Sequence, residues 1–188
     1  GGGSDGNNSV IINHLKADAF TSKVRMTGKK AGVEEFINSD LIKKFFNENQ
    51  EEKNYWMETF GNPIMEKGVA FLEEYTPGRE SGYDGNVFVI MGNRTYSAGA
   101  DFCLTIKLSN AAILVGEKAG QYYPICGNVI KGTLPNSKII YQVPSTEGFH
   151  EPETLFEDGY ICPDISYPLK EEMRVEDYKK VLSISSAS

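Results

Sequence analysis

Residues 87–117 constrain the fold more than any other part of the chain. Val87-Phe88-Val89-Ile90-Met91 is an unbroken apolar run, as expected of a strand covered on both faces. Gly92-Asn93-Arg94-Thr95-Tyr96 follows as a tight turn, and Ser97 comes next. Residues 98–108 then read as a largely buried helix, because Phe102, Cys103, Leu104, Ile106 and Leu108 leave it few polar sides. Residues 111–115 predict a second buried strand, closed by Gly116 and Glu117. Strand, turn, serine, helix and strand in this order belong to a regular α/β layer.

Elsewhere the pattern is looser. Ser4, Asp5, Gly6 and Asn7 have loop and helix-cap chemistry, and Val10, Ile11, Ile12 and Leu15 predict the buried side of a short helix. A polar stretch through Gly28, Lys29 and Lys30 breaks that pattern. Ser39 and Asp40 look like a helix start, with Leu41, Ile42, Phe45 and Phe46 at helical spacing and Lys43 and Lys44 opposite. Tyr55, Trp56, Met57 and Phe60 predict a further turn or two of helix, residues 69–72 a strand, and residues 76–85 a run of turns. Residues 139–143 read as a strand, 175–182 as a terminal amphipathic helix, and 183–188 as a frayed tail. The aromatics Phe45, Phe46, Tyr55, Trp56 and Phe60 fit a core or a subunit interface more simply than a groove over bound peptide.

Composition excludes several classes. A chain of 188 residues allows one domain with a sizeable core. A net charge of −7 argues against a duplex nucleic-acid surface, which needs a basic stripe. No run approaches the roughly 20 apolar residues needed to cross a bilayer. Zinc spacing, a dinucleotide fingerprint and a phosphate-cradling glycine loop are all missing from the sequence, so no metal or organic cofactor is implied. Cys103, Cys126 and Cys162 cannot all pair within the chain and read as buried free thiols.

A serine just ahead of a helix has an advantage as a nucleophile, because unpaired N–H groups and the helix dipole favour negative charge there. Taken alone, Ser97 is more simply a helix N-cap, for which serine is a preferred residue. Its surroundings point elsewhere. The segment Asn93-Arg94-Thr95-Tyr96-Ser97-Ala98-Gly99-Ala100-Asp101 resembles the Thr-x-Ser-Ala-x-Glu nucleophile motif of the tail-specific (C-terminal-processing) serine peptidases. Val115-Gly116-Glu117 matches that family's Val-Gly-Glu at the expected distance. Gly1-Gly2-Gly3 resembles the end of its Asp-Leu-Arg-x-Asn-x-Gly-Gly motif, and Gly159-Tyr160-Ile161-Cys162-Pro163-Asp164-Ile165 its Gly-Val-x-Pro-Asp-Ile turn with an extra residue. Leu134-Pro135-Asn136-Ser137 is similar to the tricorn-like members. The likeness spans nearly the whole chain except residues 28–85, which read as an unmatched polar and helical insertion.

The resemblance implies a crotonase-like α/β fold of stacked strand-strand-helix units, with residues 1–188 as the C-terminal part of one peptidase catalytic domain. It implies peptide-bond hydrolysis through an acyl-enzyme on Ser97, with the backbone N–H groups of Gly3 and Ala98 as the oxyanion hole. Peptides or unfolded protein tails would be the substrates, bound as an added strand. An extracytoplasmic or cell-envelope setting is favoured. A sheet lacking the strand expected ahead of Gly1 has an open edge, which makes a homo-oligomer possible.

Two departures stand out. Tail-specific members place their dyad lysine in a segment that here reads Ala119-Gly120-Gln121-Tyr122-Tyr123, with Lys118 too early and Lys131 too late. Tricorn-like members instead use a histidine N-terminal to the glycine motif, assisted by a later acidic residue. Glu157 is the candidate for that helper, against its simpler reading as a solvated loop carboxylate. His14, expected at a helix end or on the surface, and His150, expected in an exposed loop, are poor candidates for the base. The second departure is Ala100 where the family has glutamate, with Asp101 one place later. Together they favour an alternative of a different class: a catalytically inactive peptide- or ligand-binding module on the same scaffold.

Overall fold

The computed structural model describes residues 6–28, 30–40, 42–61, 69–80, 82–83 and 85–184. In chain order its elements are α1 (Gly6–Ile12), β1 (Phe20–Gly28), α2 (Lys30–Ile37), α3 (Lys43–Glu48), α4 (Gln50–Gly61), β2 (Val69–Thr76) and β3 (Phe88–Met91). There follow α5 (Ala98–Ser109), β4 (Ile113–Gly116), β5 (Ile125–Thr133), β6 (Ile140–Glu151), β7 (Ile165–Ser166) and α6 (Val175–Ile184). The architecture is mixed α/β, with one antiparallel and one parallel sheet. The chain divides into two compact units: Gly1–Ser22 with Glu74–Tyr123 and Glu151–Ser188, and Lys23–Glu73 with Pro124–His150.

In the first unit β3, β4 and β7 form a parallel sheet in that order, so β4 is central. Parallel neighbours need a crossover, and α5 supplies it between β3 and β4. Helix α5 packs on β4. Met91, Cys103, Leu104, Ile106, Leu114, Val115 and Ile161 are almost completely withdrawn from solvent and make this unit's core. The expectation that the run 87–91 is covered on both faces is corrected here. Among the described residues strand β3 lies at the sheet edge, and Ile90 is 36% exposed.

The second unit is built on the sheet β2-β1-β6-β5 and helices α2 to α4. Its core gathers Val33, Phe36 and Ile37 of α2, Phe46 of α3 and Ile130 of β5, with Trp56 and Met57 of α4 against them. Phe46 meets Phe36 edge-on at 6.3 Å and Trp56 at 5.8 Å, a favoured aromatic arrangement. Phe45 and Tyr55 are exposed, so the aromatic run divides between core and surface. Helix α4 starts at Gln50, within the polar residues 47–54. Glu51 and Glu52 complement the helix dipole there, and Glu52 accepts the Trp56 indole N–H at 3.0 Å.

Three other expectations change. In α1 Ile12 is buried, while Val10 and Ile11 are more than half exposed. Leu15 lies past the helix, bridged to Tyr83. In the polar stretch through Gly28, Lys29 and Lys30, Gly28 ends β1 and Lys30 starts α2, and Lys29 lies outside the described residues. His150 lies in β6 and is half-buried, because that strand runs on to Glu151 instead of ending near 143. Its partner β5 contains Gly127 and Gly132, poor strand formers. Tyr141, directly opposite Gly132, lays its ring where a β-carbon would stand.

Candidate active site

The turn after β3 is drawn tight by two bonds. Thr95 N–H donates to Gly92 O at 2.8 Å, and Gly92 N–H donates to Thr95 Oγ1 at 3.1 Å. A second turn, Tyr96 to Gly99, closes through Gly99 N–H to Tyr96 O at 3.0 Å. Ser97 occupies its second position with φ 52° and ψ −128°. These are the torsions of a type II′ turn, a place that glycine normally takes. A serine there carries about 1–3 kcal/mol of backbone strain. The Ser97 carbonyl accepts from Ala100 N–H at 2.7 Å and Asp101 N–H at 3.0 Å, which starts α5.

Ser97 therefore sits at the N-cap position of α5, yet its side chain makes no capping bond. A sharp, strained strand-to-helix turn that frees a serine hydroxyl is the geometry of a nucleophile elbow. Ala98 opens the helix, where backbone N–H groups have no partner within it. It stands beyond the carboxyl end of β3, where open α/β sheets bind ligands.

Several residues hold this elbow. Gln121 Oε1 accepts Ser97 N–H at 3.2 Å, and Gln121 N–H donates to Thr95 O at 3.2 Å. A β-carbon on Gly120 would lie 2.2 Å from Asn93 O and 2.4 Å from the Tyr96 ring, so only glycine fits. The Val-Gly-Glu segment proves architectural. Gly116, at φ 131°, has its Cα face against Met91 O, and Glu117 Oε1 accepts Leu169 N–H at 3.1 Å to fasten the chain after β7. Ala100 is completely buried, which leaves no space for the carboxylate that the motif would put there.

Of the other site residues, Gly3 lies outside the described residues. From α1, which follows it, Asn8 Nδ2 donates to Ala98 O at 3.1 Å. Glu157 is exposed at the base of a two-residue hairpin. Glu157 and Tyr160 exchange backbone bonds of 2.8 and 2.9 Å, with Asp158 and Gly159 both at positive φ. Burial first, and then a hydrogen bond donated by the Cys162 thiol to the Glu157 carboxylate, push that thiol's pKa up. The hairpin is bonded to the Gln121 segment through Ala119 N–H to Ile161 O at 2.9 Å and Tyr123 N–H to Gly159 O at 2.8 Å.

His14 is exposed just beyond α1. His150 belongs to the second unit, and burial pushes its pKa down to about 4. Lys118 Nζ stands 4.2 Å over the Tyr160 ring, and Lys131 is exposed on β5 of the second unit. All three cysteines are free, Cys103 buried and Cys126 and Cys162 half-buried. Among the described residues no group of His, Cys, Asp or Glu is arranged to hold a metal ion. A cleft of about 750 Å³ lined by Val87, Lys107, Asn110, Ile113 and Thr154 lies at the amino ends of β3 and β4, away from Ser97. Sequence reasoning missed Gln121 as a partner of Ser97. Its only signal was its place in the segment that follows Val-Gly-Glu.

No protein-family model matches the sequence, and no curated protein does. Among solved structures the chain is similar to CPAF, a chlamydial serine protease. Against a serine-to-alanine mutant of CPAF the TM-score is 0.57 at 13% identity, over 97% of this chain and 39% of that one. Against mature CPAF complexed with lactacystin it is 0.55 at 16% identity, over 98% and 41%. Mature CPAF alone gives 0.51 at 16% identity, over 97% and 40%. The likeness is one of fold, and the chain spans about two fifths of the length of these solved chains.

Proposed function

We propose that Ser97 is the nucleophile of a serine peptidase of the tail-specific type, and that residues 1–188 are the C-terminal part of its crotonase-like catalytic domain. The observation that carries the reading is the strained turn, which withholds the Ser97 hydroxyl from the cap bond it would otherwise make. The fold shared with CPAF supports it. In this reading Ser97 Oγ attacks the carbonyl carbon of a peptide bond and passes its proton to a general base. The Ala98 and Gly3 N–H groups receive the oxyanion. Collapse expels the amine, leaves an ester on Ser97, and water hydrolyses that ester to free the acid. In this reading the base is a histidine from sequence N-terminal to the glycine motif, as the resemblance to tricorn-like members implies, or a group from a partner, with Glu157 as the acidic helper. Substrates are peptides or unfolded protein tails.

One observation favours a second reading, the binding module. Where the dyad lysine is expected, Gln121 instead holds the Ser97 backbone. Peptide hydrolysis by the full-length protein separates the two. The peptidase reading expects turnover of an unfolded protein substrate that Ser97→Ala abolishes. Binding of such a substrate without turnover leaves only the module.

A further inference from the structure

We propose that Gln121 is the positioning residue that keeps Ser97 out of the helix cap. Two conformations compete at the start of α5. In one, Ser97 adopts ordinary extended torsions and its hydroxyl accepts a backbone N–H of the first helical turn, as a serine N-cap does. In the other, observed here, φ is 52° and that bond is not made. The second persists only where the surroundings over-determine it.

Gln121 supplies that constraint. Its side-chain oxygen accepts Ser97 N–H at 3.2 Å while its own N–H holds Thr95 O at 3.2 Å, so one residue grips both ends of the Thr95-Tyr96-Ser97 step. Its Nε2 donates to Tyr122 O at 3.2 Å, which turns the amide so that oxygen faces Ser97. The Gln121 backbone is itself pinned between the Glu157–Tyr160 hairpin and the Asn93–Tyr96 turn, with no space at Gly120 for movement. Glutamine fits the task because a carboxamide offers the acceptor without a charge beside a developing oxyanion.

The consequence for rate rests on the peptidase reading, whereas the backbone conformation does not, and the test reads both. Gln121→Met keeps the shape and removes the acceptor; Gln121→Glu keeps the acceptor. In the full-length protein, the intraresidue amide-to-α-proton nuclear Overhauser effect of Ser97, strong at positive φ and weak at negative φ, reports the sign of φ, and a fluorophosphonate reports hydroxyl reactivity. For Gln121→Met the expected result is a Ser97 φ that turns negative, labelling slowed roughly tenfold or more, and a melting temperature no lower than wild type. Gln121→Glu retains the positive φ. A Gln121→Met protein that keeps positive φ and wild-type labelling overturns the proposal. So does one that loses labelling together with its melting temperature, since that marks a general structural role. If wild type never labels while φ still turns negative in Gln121→Met, the peptidase reading fails and the clamp stands.

Discussion

Replacing Ser97 by glycine isolates the strain at the elbow. At φ 52° and ψ −128° a residue with a β-carbon carries about 1–3 kcal/mol that glycine avoids. Glycine gives back about 0.5–1 kcal/mol through its larger loss of backbone entropy. The balance is a gain of up to about 2.5 kcal/mol, centred on about 1 kcal/mol. Ser97→Ala is the control, since it also removes the hydroxyl but keeps the β-carbon and the strain. No cap bond is lost in either, because the hydroxyl makes none. For a chain of this length each kcal/mol moves the melting temperature by about 2–4 °C. Thermal unfolding followed by circular dichroism is therefore expected to place Ser97→Gly several degrees above Ser97→Ala, with both inert toward a serine-directed probe. A glycine variant no more stable than the alanine variant refutes the claim that the turn is strained.

The half-buried His150 makes stability depend on acid. Its pKa of about 4 lies below the ordinary 6.5, so below pH 6.5 the unfolded chain takes up a proton that the folded chain refuses. The stabilisation is complete above about pH 6.5 and is lost as pH falls toward 4, by at most roughly 3 kcal/mol; urea titrations across this range should show it, and His150→Gln should flatten the slope. Phe46→Ala removes a ring buried among Phe36, Trp56 and Ile37, and is expected to cost about 3–5 kcal/mol in denaturant unfolding. The Cys103 thiol, pushed up to about 11 by burial, is expected to resist iodoacetamide in the folded protein at pH 8 while Cys126 and Cys162 react, as peptide mapping would reveal.

The first unit was largely legible because its elements are set by local pattern. The run 87–91, the turn, the helix from Ala98 and the strand before Gly116 each announce themselves through apolar continuity and turn residues. The second unit was legible in part: the strands read at 69–72 and 139–143 and the helical residues Phe45, Phe46 and Tyr55 to Phe60 fall in β2, β6, α3 and α4, but β1, α2 and β5 were not read. Its sheet joins strands from distant segments, and its weakest member, β5, depends on a tyrosine from β6 to cover a glycine, which no local window shows. Strand β1 does alternate, with Val24 and Met26 between Lys23, Arg25 and Thr27, but its polar residues hid it. At the site, the sequence located Ser97 and left two readings of it. The torsion that keeps its hydroxyl from a cap bond was not legible, because it depends on long-range partners such as Gln121, 24 residues away.

Mass spectrometry of the full-length protein after fluorophosphonate treatment, with peptide mapping of the product, tests the central claim most directly. The expected result is a single adduct on the peptide carrying Ser97, lost in Ser97→Ala. An unmodified protein, or an adduct on another residue that survives the substitution, contradicts it.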